Sequence, residues 1–170
     1  MMLKTRDFYL MKVYDVSGKY IGVIDDVCLD FYNSNINGFL ISSISFLKKH
    51  NYINTKSIVS IEECMIIKDS LEVFKGLRFK EIKYMDIVDK YNTMIGVLED
   101  LIIEKNTFNI KGIIISSGVF DKMIKGKEIL VAKSCILCEK YIIYVGSSAV
   151  KVKTLPHNMG GCKNVDKKKE

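Results

Sequence analysis

Residues Ile21-Gly22-Val23-Ile24-Asp25-Asp26 return 74 positions later as Ile95-Gly96-Val97-Leu98-Glu99-Asp100. At the same spacing Met11 meets Met85, Asp15 meets Asp89, Asn35-Ile36 meets Asn109-Ile110, Gly38 meets Gly112, and Ile41-Ser42-Ser43 meets Ile115-Ser116-Ser117. No gap interrupts the correspondence. A chain that writes one pattern twice must fold as two similar units, so fold and function are argued for a pair. The division falls at residues 1–76 and 77–153, joined near Val73 to Leu77. Units of roughly 75 residues bury proportionally little surface, so each is expected to lean on its twin. Hydrophobic residues make up 48% of the chain, enough to supply a core.

Within each copy the periodicity is that of short strands. Thr5 is placed to cap one helical turn, with Asp7 favourable near its start. Lys12-Val13-Tyr14 reads as a strand and Asp15 to Lys19 as a turn in which Gly18 takes positive φ. Asn92 replaces Gly18 in the second copy, and Asn is the next-best residue for that conformation. Ile21 to Phe31 is the strongest strand, with an apolar odd-numbered face broken only at Asp25. Glu99 breaks the second copy at the same place, which predicts a bulge or an edge position.

The hairpin turn is expected at Asn33-Ser34-Asn35. The alternative, Asn37-Gly38, fails because Lys111-Gly112 stands there in the second copy. Gly38 and Gly112 then lie inside strands, where glycine marks a bulge or a close backbone approach. After the shared serines the loops differ in length, Ile44 to Tyr52 against Gly118 to Glu128. Pairing resumes at Lys56-Ser57 and Lys133-Ser134. The expected fold class is all-β: two tandem small antiparallel barrels or curled sheets of five or six strands each.

The formal charge of +6 is unevenly placed. Residues 151–170 hold six Lys and two acidic residues, leaving 20 basic and 18 acidic residues in 1–150. Arg occurs only at Arg6 and Arg78, whereas nucleic-acid binders concentrate Arg and Lys on one face. Residues 154–170, polar and Lys-rich after Pro156, read as a disordered basic tail. No apolar run reaches membrane-spanning length, and Met1 to Met11 lacks a signal-peptide pattern. Five cysteines without framework spacing fit reduced thiols, so the expected location is cytoplasmic.

The repeated segments resemble the PRC-barrel family. Its signature is a turn, then Ile-Gly-x-Val-x-Asp and an alternating strand, a polar hairpin, a Gly-containing return strand, and a late segment like Ile-Pro-x-x-x-Ile. The first part stands here at Ile21 to Asp26 and Ile95 to Asp100. The late segment stands at Ile53-Asn54-Thr55-Lys56-Ser57-Ile58 and Ile129 to Cys135, without the family's proline, so the entry to the last hairpin is expected to differ. The resemblance implies a six-stranded β-barrel module. Such modules occur in the cytoplasmic part of the photosynthetic reaction-centre H subunit, in a ribosome-maturation factor, and in small sporulation-associated proteins. It implies a binding or scaffold role with no common catalytic residue.

Residue by residue, the chemistry is sparse. Gly22 and Gly96 read as structural, since no helix follows to make a phosphate loop. Asp26 and Asp100, with Asp25 and Glu99 beside them, suit hydrogen bonds to backbone better than metal binding. Strand neighbours face opposite ways unless a bulge intervenes. Cys135 and Cys138 form a single Cys-x-x-Cys, without the second pair of a zinc ribbon. His50 and His157 support no nucleophilic triad. No cofactor, metal or catalytic residue is expected.

The expected function is a non-enzymatic adaptor or scaffold that binds a protein partner of unknown identity. Nine tyrosines offer aromatic surface for it. The competing expectation is an RNA- or ribosome-associated factor using Lys48, Lys49, Lys122, Lys125 and Lys127, which fall in the equivalent long loops.

Overall fold

The computed structural model describes residues 1–42, 51–68, 71–116, 127–147 and 150–152. The first repeat lays down β1 (Met2–Lys4), a 3-10 turn at Thr5–Asp7, β2 (Lys12–Asp15), β3 (Tyr20–Asp30) and β4 (Asn35–Ser42). It continues through β5 (Tyr52–Asn54), a 3-10 turn at Thr55–Ser57, β6 (Ile58–Ile61) and β7 (Met65–Ile67). The second begins with β8 (Leu77–Arg78) and the single helical turn α1 (Phe79–Ile82), then β9 (Asp86–Asp89), β10 (Met94–Glu104) and β11 (Ile110–Ser116). It closes with β12 (Lys127–Val131), a 3-10 turn at Ala132–Ser134, β13 (Cys135–Leu137), β14 (Tyr141–Tyr144) and β15 (Val150–Val152). The 3-10 turns at Thr55 and Ala132 directly follow the position at which the family's proline would fall. Each feeds a hairpin, β6–β7 or β13–β14.

One sheet runs β5-β4-β3-β2-β7-β6 and the other β13-β14-β9-β10-β11-β12-β15. Pairing is antiparallel except for one parallel contact in each, β2 with β7 and β9 with β14. That contact brings the last hairpin of a repeat back beside its second strand, a return that short turns alone could not make.

The two sheets do not separate cleanly at the repeat boundary. β1 pairs with β10 of the second repeat, Leu3 opposite Ile103. β8 pairs with β3 of the first, Leu77 opposite Leu29. Both residue pairs are related by the 74-residue offset, so the repeats exchange their opening strands reciprocally. The hairpin tips meet on the same pseudo-twofold axis, Asn35 bridging Asn109. Ile36 N donates to Phe108 O at 2.9 Å and Ile110 N to Ser34 O at 2.7 Å, a mirrored pair of bonds.

The core is likewise common property. Val27, Ile36 and Phe39 belong to one continuous buried cluster with Leu98, Leu101 and Ile113. Phe39 packs at a 44° tilt on Phe8 with ring centroids 4.8 Å apart and meets Phe108 of the other repeat edge-on at 6.0 Å. The expected reliance of each half on its twin is thus a shared core with interchanged edges.

The hairpin turn lies at Phe31 to Ser34, away from Asn37-Gly38 as the second copy demanded, but it begins two residues earlier than expected and Asn35 already opens β4. Ladder register slips between Ile24 and Asp26 and between Leu98 and Asp100, so Asp25 and Glu99 are bulge residues. One reading of the alternation changes in consequence. The odd face of β3 is buried only after the bulge, at Val27 and Leu29. Before it the buried residues are the even-numbered Gly22 and Ile24, while Ile21 and Val23 are half-exposed. An inserted residue reverses which face each later side chain takes. Thr5 corrects a second expectation: Lys4 occupies the cap position, its N–H donating to Asp7 Oδ2 at 2.7 Å, and the Thr5 side chain points across to the other repeat.

A shared core with exchanged strands predicts that residues 1–76 expressed alone will not give a folded monomer. Co-expression with residues 77–154 should restore the β circular-dichroism spectrum and a cooperative melt. A cooperatively folding monomer of either fragment would contradict the exchange.

Candidate functional site

The bulges place four acids beside the axis that relates the repeats. Asp26 is 1% exposed; its Oδ1 accepts from Val27 N at 2.8 Å and from Lys80 N at 3.3 Å, at the start of α1. Asp100 Oδ1 accepts from Leu101 N at 2.8 Å, from Thr5 N at 2.9 Å and from the Thr5 hydroxyl. Each buried carboxylate therefore holds the arm delivered by the other repeat. Outside them, Lys80 Nζ donates to Asp25 Oδ1 at 2.7 Å, and Arg6 Nε lies 4.0 Å from Asp100 Oδ2.

The two acids are not electrostatic equals. Asp26 Oδ2 is buried and takes no hydrogen bond from any described residue. Burial outweighs the bonds from Val27 and Lys80 and pushes the Asp26 carboxyl above the usual carboxylate range. The Tyr9 hydroxyl is also buried without a hydrogen bond among the described residues. Burial, then the negative charges of Asp26, Asp100 and Asp25, push its pKa up, so the phenol stays neutral.

Immediately outward lie two residues that sequence reasoning did not single out. Leu10 and Tyr84 occupy matched positions, both in left-handed backbone at φ 63° and 68°. Each amide donates to the long strand, Leu10 N to Ile24 O at 2.9 Å and Tyr84 N to Leu98 O at 2.8 Å. That fixes the turn and thrusts the side chains outward, 78% and 64% exposed. A shallow cavity of about 250 Å³ opens beside them, lined by Tyr9, Leu10, Ile24, Asp25, Lys80 and Lys83. Lys83 Nζ sits 5.0 Å from the Tyr84 ring centroid. No hydropathy signal marks this pair; an exposed leucine between Tyr9 and Met11 looks like part of a strand.

The remaining candidates scatter. A Cβ on Gly22 would lie 2.5 Å from Ser42 O, and one on Gly96 2.9 Å from Ser116 O, so backbone approach fills the space a side chain would need. Gly38 backs onto Ile53 O and the Tyr52 ring, and Gly112 onto Ile129. Asn37 and Lys111, just before them, are the extra residues of a second register slip. Cys135 is buried, its thiol donating to Val131 O at 3.6 Å, and burial pushes it up to about 12. Cys138 sits past the end of β13, half-exposed. Among the described residues no three of His, Cys, Asp and Glu are grouped to hold a metal. Lys48, Lys49, Lys122 and Lys125 lie outside the described residues, as do His50, His157 and the tail from 154 to 170. Lys127 is described only as backbone, opposite Val152.

A family profile described as PRC-barrel domain matches the chain twice, over residues 2–77 and 74–154. The chain belongs to the PRC-barrel family. No curated protein matches it. In PRC-barrel terms the two signature acids do the same structural work in each copy, at the bulge that follows the signature glycine, and the tandem arrangement makes each module's arm the other's edge strand. No helix among the described residues is long and apolar enough to cross a membrane.

Two outcomes follow from the unequal acids. Asp100→Ala removes three hydrogen bonds and should cost roughly 3 kcal/mol, read by urea denaturation. Asp26→Asn keeps the Oδ1 acceptor and discards a desolvated charge, so it should stabilise the fold by roughly 1 kcal/mol at pH 7. The pH sign follows from the raised folded pKa: Asp26 favours the fold fully below the unfolded value of 3.8, and this contribution is lost as pH rises through the folded value. The gain from Asp26→Asn should therefore vanish near pH 3, and a uniform loss at both pH values would refute the assignment.

Thiol chemistry gives a further check. Burial pushes Cys28 up to about 12, like Cys135. Both should resist Ellman's reagent in the native protein and react only on unfolding, while half-exposed Cys64 and Cys138 react at once. Peptide mapping of labelled thiols reads the difference.

Proposed function

We propose that this tandem PRC-barrel protein is a non-enzymatic adaptor that binds another protein in the cytoplasm through the face at the pseudo-twofold axis. The observation that carries this reading is the matched pair Leu10 and Tyr84. Left-handed backbone at a bulky residue costs about 1 kcal/mol or more, a cost that Gly or Asn would lessen. Here the chain accepts it at two symmetric positions, as it also does at half-buried Phe108, and at both members of the pair it presents a large apolar side chain to solvent. Such a pair suits the centre of a protein interface, where apolar and aromatic anchors carry most of the affinity. Tyr9, Lys80 and Lys83 around the adjacent cavity supply the polar rim.

The absence of catalysis is part of the same proposal. The described hydrogen bonds of Asp26 and Asp100 run to backbone amides and the Thr5 hydroxyl, which is the work of clasps. The family's sporulation-associated and ribosome-associated members fit a role in assembly, and the acidic and basic residues of 1–150 nearly balance, which favours a protein over a nucleic acid.

The double variant Leu10→Gly, Tyr84→Gly tests the proposal with little risk to the fold, since Gly adopts this backbone freely. It should melt at or above the wild-type temperature. A protein captured by the wild type and then purified should bind the variant roughly a hundredfold more weakly. Unchanged affinity in a stably folded variant would move the interface elsewhere.

A further inference from the structure

A sheet that ends in solvent leaves a row of backbone amides and carbonyls without strand partners. Natural folds blunt such an end with a bulge, a charge, a proline or a cover. The two sheets described here end at β5, β6, β13 and β15. Glu72 bridges Tyr52 and so covers β5. β6 is bulged, its register slipping between Ile58 and Ser60. β15 carries Lys151 at its centre. β13, with Cys135, Ile136 and Leu137, has none of these devices. Its register with β14 is regular, and no strand among the described residues pairs with its other side.

Hydrogen bonding shows which groups face that open side. Ser134 O accepts from Val145 N and Cys138 N donates to Tyr141 O, both at 2.9 Å. Alternation along an antiparallel ladder then turns the Ile136 backbone toward β14 and leaves that of Cys135 and Leu137 outward. The Cys135 N–H is taken by Ala132 O in the 3-10 turn. A donor, Leu137 N–H, and an acceptor, Cys135 O, thus stand two residues apart on the open edge. Between them the Ile136 side chain is 45% exposed. It ends an apolar row that crosses the sheet through Ile143 and Val88 to Met94, each opposite the next. The first repeat breaks the same row at its edge, where Ser60 stands opposite Ile66.

We propose that β13 pairs antiparallel with β13 of a second copy of this chain, on a twofold axis through Ile136. In that register each Leu137 N–H donates to Cys135 O of the second copy, giving two symmetric hydrogen bonds. Ile136 meets its own equivalent as the closely spaced, non-hydrogen-bonded pair. The flanking charges select this register. Lys133 and Glu139 each lie three residues from the axis, so Lys133 falls opposite Glu139 of the second copy, twice. Both residues are exposed, and neither is in an ion pair among the described residues. The neighbouring registers that keep the outward groups opposed centre on Cys135 or Leu137. They set Lys133 against Leu137 or Tyr141 and lose both charge pairs. The contact uses neither Leu10, Tyr84 nor the cavity beside them, so it stands or falls apart from the adaptor reading.

Sedimentation equilibrium of the full chain under reducing conditions tests it. So small a contact should give a reversible dimer with Kd on the order of 0.1 mM, the mass rising from that of one chain toward that of two with concentration. Lys133→Glu and Glu139→Lys should each weaken the dimer roughly tenfold, because like charges then face each other on both sides of the axis, and the double variant should restore it. Ile136→Lys should leave a monomer, whereas Val59→Lys, at the bulged edge of β6, should dimerise as the wild type does. All four positions are exposed, so the variants should fold, which circular dichroism checks. If Ile136→Lys unfolds, the charge variants decide. A monomer at every concentration, a dimer indifferent to a folded Ile136→Lys, or one lost in Val59→Lys would overturn the interface. Charge variants that fail to rescue each other would overturn the pairing about Ile136.

Discussion

The exchange of opening strands across the pseudo-twofold axis is the constraint on which the rest of the molecule depends. β1 completes the second sheet and β8 the first, so neither repeat owns all the strands of its sheet. The hairpin tips add two backbone hydrogen bonds, and Phe39 and Phe108 bring the two interiors into contact. A unit of this size buries too little surface to be comfortably stable by itself. Pooling two interiors into one cluster removes that difficulty, at the cost of making each half conditional on the other.

The bulge is the second organising device. One extra residue in each long strand reverses the alternation, so Ile24 and Val27 both point inward although they stand three positions apart. The same insertion leaves Asp25 outside to meet Lys80 and turns Asp26 inward to meet the α1 backbone. Asp100 receives Thr5 in the corresponding place. The signature acid of a PRC-barrel module thus serves here as a clasp for a neighbour's arm. Duplication has also let the clasps diverge. Asp100 spends Oδ1 on three donors, whereas Asp26 keeps a desolvated oxygen near a neutral tyrosine.

The reading proposed for Leu10 and Tyr84 rests on a conflict between local preference and fold. Their amides tie each turn to a long strand, but their exposed side chains take no part in sheet pairing. The pair carries a backbone cost that other residues would lessen, and places of that kind tend to mark function.

The sequence by itself determined the duplication, the all-β class, a hairpin turn near Asn33-Ser34-Asn35, a break in the strand pattern at Asp25 and Glu99, and the positive φ at Gly18 and Asn92. Each is a local matter, written in periodicity or in the conformational range of one residue, and the second copy served as a control on the first. Tertiary structure alone decided which repeat each opening strand joins, because Leu3 and Leu77 fit either sheet equally well by pattern. It also decided that Asp100 would find Thr5, a residue 95 positions away, and that Leu10 and Tyr84 would face outward. Those outcomes rest on pairing between distant segments and on the geometry of an axis that no stretch of chain contains.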